Sequence, residues 1–172
     1  MRKVILFIAS SLDMFIARKD GSVDWLFTDG DYGYRKFYES VDTVLMGRKT
    51  YELALKLGDS FGGKNCVVFS RSAGRKAKGN VKFASDPASF TEKLRAAPGK
   101  DIYLVGGGQI VSALLNAGLV DEIVLSIHPI ILGTGIPLFD SIGKSVKLSL
   151  EGSEKFPSGL VQLKYSVAKA AF

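Results

Sequence analysis

The chain carries short apolar runs that are dense in β-branched and aromatic residues. They occupy residues 4–9, 43–46, 66–69, 102–105 and 123–127. Such uninterrupted runs are typical of strands that are buried on both faces of a sheet. Between them, apolar positions recur at helical spacing within residues 34–41, 51–57, 90–97 and 110–115. The alternation predicts an α/β fold in which a mostly parallel sheet is covered by helices on both faces.

The C-terminal part of the chain has a different pattern. Residues 123–127 and 160–167 are strand-like, whereas the segment between them is rich in Gly, Pro and Ser without clear helical spacing. This pattern predicts an antiparallel hairpin at one edge of the sheet, with residues 152–159 as a turn-rich loop. A length of 172 residues without an internal repeat or linker predicts one domain over residues 1–172.

The charge of the chain narrows the choice of partners. With 23 Lys and Arg against 17 Asp and Glu, the net charge is +6, which suits nucleic acid, a membrane surface or a phosphorylated ligand. We expect neither nucleic acid nor membrane, because the cations are spread along the chain without a polybasic tail. The densest group lies in a loop that is either solvated or phosphate-binding at its start, and it comprises Arg71, Arg75, Lys76 and Lys78.

Cysteine and histidine are too few for several classes of site. The single Cys66 excludes an internal disulfide and is expected to be a buried, inert thiol. One Cys and one His also exclude the zinc deaminase signature, and no metal site is predicted. The first apolar run leads directly into polar sequence, as a first strand does and a signal peptide does not. A cytoplasmic location is therefore expected.

The strongest local signal is the segment from Gly106 to Gly108, where three glycines join a buried strand to a helix. The first N–H groups of a helix have no internal partners and carry the positive end of its dipole, which favours a phosphate. Glycine also removes the Cβ that would hold the phosphate away. The alternative is a tight strand-to-helix turn without a ligand.

Two further strand ends carry phosphate-binding chemistry. In Gly47-Arg48-Lys49-Thr50, Thr50 is expected to cap a helix, while the two cations either pair with a phosphate or remain solvated. Another strand ends at Ser70 and Arg71, where ligands of parallel sheets bind. Three such ends favour one elongated polyanion, namely a dinucleotide, although the Gly-x-Gly-x-x-Gly fingerprint of a standard Rossmann domain is absent.

The order and spacing of these junctions resemble the dihydrofolate reductase superfamily over nearly the whole chain. Within it, Ser-Ser-Leu-Asp at 10–13, Asp-Trp-Leu at 24–26 and Gly-Thr-Gly-Ile-Pro-Leu-Phe at 133–139 resemble the C-terminal reductase domain of the bifunctional riboflavin-biosynthesis deaminase-reductase and its stand-alone relatives. The resemblance implies a dihydrofolate reductase-like three-layer sandwich, and relatives with the last segment suggest a homodimer.

The same resemblance implies NADPH as the cofactor. Arg48, Lys49 and Thr50 would bind the pyrophosphate, and Ser70 with Arg71 would hold the 2′-phosphate. Gly106 and Gly107 would border the nicotinamide ribose and the pyrophosphate, and the resemblance implies that the peptide bond between them is cis. Ala9 and Ile16 would offer backbone groups to the carboxamide. The implied cofactor-binding set is Ala9, Ile16, Gly47, Arg48, Lys49, Thr50, Ser70, Arg71, Gly106, Gly107, Gly108, Gln109 and Ile110.

Two carboxylates are the candidates for catalysis at the acceptor end. The spacing of Asp31 from Gly47 resembles that of the substrate-binding carboxylate of dihydrofolate reductases, which would clamp an amino-pyrimidine edge. The alternative is a carboxylate that stabilises a helix start. Asp13 follows the first strand in a segment that in riboflavin-type reductases lies near the substrate. Its alternative role is that of a turn carboxylate.

Departures from the riboflavin-type pattern bear on the substrate. Met14 replaces a glycine, and Phe15 replaces a basic residue, which weakens the case for a phosphorylated ribosylaminopyrimidine and favours an apolar or stacked ligand. Trp25 is expected either to stack on the substrate or to fill the core. His128 is expected to be structural.

These features predict an NADPH-dependent reductase of a pyrimidine- or pteridine-like heterocycle, resembling 5-amino-6-(5-phosphoribosylamino)uracil reductase. The alternatives are dihydrofolate reduction and an NADPH-binding module without turnover. All three require the loops that begin at Gly47, Ser70 and Gly106 to converge on one groove.

Overall fold

The computed structural model describes residues 1–59, 61–71 and 79–169. The strands are β1 (Val4–Ser11), β2 (Phe15–Ala17), β3 (Val41–Gly47), β4 (Asn65–Phe69), β5 (Val81–Ala84), β6 (Asp101–Gly106), β7 (Glu122–His128), β8 (Ile136–Pro137), β9 (Leu148–Lys155) and β10 (Val161–Val167). The helices are α1 (Tyr34–Ser40), α2 (Arg48–Lys56), α3 (Pro87–Ala96) and α4 (Gly108–Asn116). None of these helices is long and apolar enough to cross a membrane.

The main sheet has eight strands in the order β5-β4-β3-β6-β1-β7-β10-β9. The pairs from β5 to β7 are parallel, whereas β10 runs antiparallel to both β7 and β9. The predicted mostly parallel sheet with a C-terminal antiparallel hairpin is therefore confirmed.

Alternate residues of the central strands point to two different cores. In β3, Leu45 belongs to a cluster with Leu114 of α4, whereas Val44 belongs to a cluster against which Phe37 of α1 packs. Because successive side chains of a strand point to opposite faces, continuous apolar runs are needed when both faces are covered. The three-layer arrangement predicted from those runs is confirmed, with α1 and α2 on one face and α3 and α4 on the other.

The sequence pattern missed the strands that lack a hydrophobic signal. Every residue of β9 is exposed, so this strand shows no apolar alternation and is held by its ladder with β10. The prediction of a turn-rich loop over 152–159 is therefore wrong for residues 152–155, and the turn begins after Lys155. The short β2 and β8, which pair in a second sheet, were also not predicted.

Cys66 is buried within β4, as predicted. Burial raises the pKa of its thiol to about 11, so the thiolate is scarce at neutral pH. The part of the chain that the structure describes contains no group of three or more His, Cys, Asp or Glu residues able to hold a metal ion.

Candidate active site

Three strand ends meet at the carboxyl edge of the sheet. In the parallel ladders, Gly47 at the end of β3 pairs with Phe69 at the end of β4. On the other side of β3, Met46 pairs with Gly106 at the end of β6. The segments that begin at Gly47, Ser70 and Gly106 therefore leave neighbouring strands at the same edge. This is the convergence that the sequence interpretation requires.

A hydrogen bond joins two of these turns. The N–H of Gly107 donates to Thr50 Oγ1 at 3.0 Å. A Cβ on Gly107 would lie 3.3 Å from the same oxygen, so the approach is close. The prediction that Thr50 caps α2 is wrong, because α2 begins at Arg48 and its N-cap, Gly47, has no side chain to accept a bond. Thr50 instead lies in the first turn and bonds to the neighbouring segment.

The helix starts at this edge differ from the start of α3. The side chain of Asp86 caps α3 and accepts from the N–H groups of Ala88 and Ser89 at 3.0 and 3.1 Å. By contrast, α2 and α4 begin after Gly47 and Gly107 without any side-chain cap. Uncapped N–H groups at two adjacent helix starts suit anionic oxygens. The chain therefore fits a ligand that carries phosphates.

Cations surround this pair of helix starts. Arg48 is half-buried, and its Nε lies 3.8 Å from Glu52 Oε1 one turn along α2. Lys49 and Arg71 are exposed. The remaining cations of the densest basic group, Arg75, Lys76 and Lys78, lie outside the described residues.

Replacing Thr50 with valine is expected to lower the free energy of unfolding by about 1 kcal/mol, because the partly buried N–H of Gly107 loses its acceptor. Thr50→Ser keeps the hydroxyl and is the matched control. Urea denaturation with amide hydrogen exchange at Gly107 measures the effect. Equal stability and equal protection in the two variants would show that the bond contributes nothing.

The residues of the Gly106–Ile110 turn differ in their contacts. The Gly106–Gly107 peptide is cis, as the family resemblance implied. A Cβ on Gly108 would lie 2.3 Å from the carbonyl oxygen of Pro137, so Gly108 packs directly against β8. The side chain of Ile110 covers Gly47, because a Cβ added to Gly47 would lie 3.3 Å from Ile110 Cγ1. Gln109 is exposed. Close packing is thus a sufficient reason for glycine at 108.

A cavity of about 370 Å³ lies beside β1, β6 and β7, beyond the glycine turns. Of the predicted site residues, Ala9 and Asp31 line it. Phe7 and Tyr103 also line it, from one face of the adjacent strands β1 and β6. The sequence interpretation placed these two rings in buried strands, and no local sequence signal marks them as a cavity wall. We call this space the acceptor cavity.

Asp31 has the helix-start contacts that one of its two candidate roles predicts. Its carboxylate accepts hydrogen bonds from the N–H groups of Arg35 at 3.0 Å and Gly33 at 3.2 Å, at the start of α1. These bonds lower the pKa of Asp31, so the group is ionised at neutral pH. The same residue is exposed and lines the acceptor cavity. It is placed to accept hydrogen bonds from a ligand rather than to supply a proton.

The contacts of Asp13 are those of a turn carboxylate. It accepts from the Ser11 hydroxyl at 2.6 Å and from the N–H groups of Leu132 and Gly133 at 3.1 and 2.8 Å. The Ser11 hydrogen bond is the main reason that the pKa of Asp13 is lowered. Asp13 is not among the residues that line the acceptor cavity.

The residues after Asp13 turn the chain away from this cavity. Met14 has a φ of 63°, in the left-handed region that favours glycine. Phe15 is the first residue of β2, and it lies close to Gly135: a Cβ added to Gly135 would be 3.1 Å from the Cβ of Phe15. Ile16 lies in the same strand and packs against the core. Neither Phe15 nor Ile16 is among the lining residues of the cavity.

Trp25 and His128 pack together at the edge of the cavity. Trp25 is only 8% exposed, and its ring meets His128 edge-on at a centroid distance of 5.2 Å. His128 Nε2 accepts the N–H of Phe27 at 3.2 Å, which places the proton of a neutral ring on Nδ1. These contacts fit a core-filling Trp25 and a structural His128, and His128 also lines the cavity.

Burial lowers the pKa of His128, which is the only histidine in the chain. Because the unfolded chain then binds a proton more readily, the free energy of unfolding should fall as the pH drops below the unfolded value of about 6.5. The slope should approach at most about 1.4 kcal/mol per pH unit. Urea titrations between pH 7.5 and 5.5 measure it, and His128→Gln should flatten the curve. An unchanged slope in that variant would assign the pH dependence to other groups.

The fold is a three-layer α/β domain of the dihydrofolate reductase type, with two uncapped helix starts at the carboxyl edge of its sheet. The family model of the RibD C-terminal domain matches residues 62–162. Two Bacillus subtilis proteins are similar over 95% of this chain: uncharacterized protein YwjB, 40% identical over 97% of its length, and uncharacterized protein YyaP, 36% identical over 94%. The chain belongs to the RibD C-terminal domain family.

Solved structures agree with this assignment. A putative riboflavin biosynthesis protein from Shewanella has a TM-score of 0.85 and 30% identity, with 96% of this chain and 99% of that one covered. A pyrimidine reductase-like protein from Corynebacterium diphtheriae has a TM-score of 0.74 and 18% identity, with 97% and 92% covered. The Thermotoga maritima deaminase/5-amino-6-(5-phosphoribosylamino)uracil reductase shares the fold at a TM-score of 0.75 and 18% identity, with 97% and 57% covered. The family supports an oxidoreductase and, in general terms, a nicotinamide cofactor.

Proposed function

We propose that this protein is an NADPH-dependent reductase of a pyrimidine- or pteridine-like heterocycle, related in activity to 5-amino-6-(5-phosphoribosylamino)uracil reductase. The observation that carries the proposal is the meeting of two uncapped helix starts with a third strand end at one edge of the sheet. A dinucleotide is long enough to contact all three.

Each part of this edge has a role in holding the cofactor. The helix starts after Gly47 and Gly107 bind the pyrophosphate, with Arg48 and Lys49 supplying countercharge. The hydrogen bond from Gly107 to Thr50 keeps the two turns together. Ser70 and Arg71, at the end of β4, bind the 2′-phosphate and so select NADPH over NADH.

The acceptor cavity then holds the heterocycle beside the nicotinamide site. The cofactor supplies a hydride to a C=N or C=O bond when it is bound. Ala9 and Val105, at the ends of β1 and β6, line the cavity on the side of the glycine turns. Asp31 accepts hydrogen bonds from the N–H groups of the heterocycle and orients it, and of the two candidate carboxylates it is the one that lines the cavity. Rate enhancement rests mainly on this positioning.

Calorimetry and kinetics test the proposal in two stages. Titration with NADPH should give a single saturable site, and the absence of binding would overturn the proposal. Oxidation of NADPH is then followed at saturating 5-amino-6-(5-phosphoribosylamino)uracil, its unphosphorylated counterpart and dihydrofolate. Turnover of a ribosylaminouracil favours a riboflavin-type reductase, and turnover of dihydrofolate alone favours the alternative activity.

A binding module without turnover is the second candidate, because Met14 and Phe15 replace residues that the riboflavin-type enzymes use near the substrate. This candidate predicts NADPH binding without oxidation by any heterocycle in the panel.

A further inference from the structure

The acceptor cavity and the cofactor edge carry opposite charges. Asp31 is ionised, and it is the one Asp, Glu, Lys or Arg residue among the described residues that line the cavity. His128, also in the lining, is held neutral by burial. A second pocket of about 380 Å³ shares Gly30, Asp31 and Tyr32 with the cavity and adds Asp29. No Lys or Arg lines either space in the described part of the chain.

Aromatic rings form much of the cavity wall. Phe7, Phe27, Tyr34 and Tyr103 line it, and Phe7 also stands edge-on to Tyr34 at a centroid distance of 5.7 Å. Burial raises the pKa of Tyr34 to about 12 and that of Tyr103 well above its usual value, so both phenols remain uncharged. Walls of this kind favour a planar ring through stacking and apolar contact.

The loop that carries the two carboxylates is held in place by the C-terminal hairpin. The Tyr32 hydroxyl contacts Asp29 Oδ1 at 2.5 Å and Ser158 Oγ at 3.0 Å. The Tyr32 carbonyl accepts from Gln162 Nε2 at 3.1 Å, and the same nitrogen donates to Ser126 Oγ at 3.0 Å. Tyr32, which directly follows Asp31 and contacts Asp29, thus ties the loop that carries both carboxylates to the C-terminal hairpin.

Arg35 is a nearby cation, and it contributes to lowering the pKa of Asp31. Its residue is exposed on α1, and it lies outside the lining of both pockets. Arg35 therefore pairs with Asp31 from outside the cavity, and it does not supply a cation to the lining of either pocket.

We infer that the acceptor is an uncharged or cationic aromatic heterocycle without a phosphate or carboxylate substituent, and that Asp29 and Asp31 exclude anionic acceptors. The inference rests on the proposed function, because it assigns this cavity to the acceptor. Phosphate-binding chemistry is concentrated at the cofactor edge, around Arg48, Lys49 and Arg71. An anionic group on the acceptor would instead meet like charge, and no cation among the described lining residues could pair with it.

Matched ligand pairs test the inference on the full-length protein saturated with NADP⁺, so that the cofactor edge is blocked. The pairs are 5-amino-6-ribosylaminouracil and its 5′-phosphate, riboflavin and FMN, and pterin and pterin-6-carboxylate. Calorimetry should give at least one pair with measurable binding, and in it the uncharged member should bind about 10-fold or more tightly. This preference should shrink as ionic strength rises, because salt screens the carboxylates.

The variant Asp29→Asn/Asp31→Asn keeps one acceptor oxygen at each position, for the Tyr32 hydroxyl and for one of the two N–H groups at the start of α1. It should reduce the preference to about 3-fold or less. Asp140→Asn removes an exposed carboxylate outside both pocket linings and should leave the preference unchanged. Circular dichroism checks that each variant is folded. If the double variant is not folded, the salt dependence of the binding preference in the wild-type protein tests the inference.

Equal or tighter binding of the anionic member, or no binding of any pair to the NADP⁺-loaded protein, would overturn the inference and leave the cofactor assignment standing. Failure of NADP⁺ itself to bind would overturn the proposed function, and with it the inference. The two failures are therefore distinguishable.

Discussion

Replacing Gly108 with alanine is expected to destabilise the fold by about 3 kcal/mol. The added Cβ would lie 2.3 Å from the Pro137 carbonyl oxygen and 3.1 Å from that of Leu138. Both oxygens belong to backbone, and Leu138 is fully buried, so the contact cannot be relieved by turning a side chain. For a chain of this size, the midpoint of thermal unfolding should fall by roughly 6–12 °C.

Gly152→Ala is the matched control, because a Cβ there would meet nothing within 4 Å. This variant should keep the wild-type stability to within about 0.5 kcal/mol. Calorimetric melts of the two variants measure the difference. If Gly108→Ala has the same midpoint of thermal unfolding as Gly152→Ala, the start of α4 is not packed against the segment at Pro137 as described.

Replacing Arg71 with alanine is expected to weaken NADPH binding about 10- to 100-fold while changing NADH binding by about 3-fold or less. A hydrogen bond between a guanidinium and a phosphate contributes about 1.5–3 kcal/mol, and the 2′-phosphate is absent from NADH. Arg71 is exposed at the end of β4, beside the strand end that carries Gly47. Fluorescence titration with each cofactor measures the two dissociation constants.

Lys144→Ala is the control, because it removes one exposed positive charge and matches the change in the overall field of the protein. This variant should weaken the binding of NADPH and of NADH equally, and only slightly. Equal weakening of NADPH and NADH by Arg71→Ala would refute the assignment of this residue to the 2′-phosphate.

The two ends of the site were not equally readable from the sequence. At the cofactor edge, glycines, cations and hydroxyls sit directly after apolar strands, and the order of parallel strands brings such ends together. At the acceptor end, the lining comes from side chains far apart in the chain, such as Phe7, Tyr103 and Leu160. Each of them lies in the kind of sequence that also surrounds ordinary core residues. The local sequence therefore does not distinguish a residue of a cavity wall from one of a packed interior.

Several residue roles changed once the contacts were known. Thr50 is of a residue type that commonly caps helices, but its hydroxyl accepts a hydrogen bond from the N–H of Gly107, 57 positions away. Gly108 looks like part of a phosphate loop, yet the backbone at Pro137 already requires a glycine there. Both roles depend on long-range neighbours, which a motif does not specify.

The amino-acid sequence by itself determined the α/β class, the central parallel strands and the three phosphate-suited turns, because apolar periodicity and glycine placement are local properties. The tertiary structure alone decided that Asp31 and not Asp13 lines the acceptor cavity, that β9 is a strand, and that the Tyr32 hydroxyl joins Asp29 to Ser158 of the C-terminal hairpin. Those outcomes depend on which distant segments supply the hydrogen-bond partners and the lining of the cavity. These contacts form only when the whole chain packs.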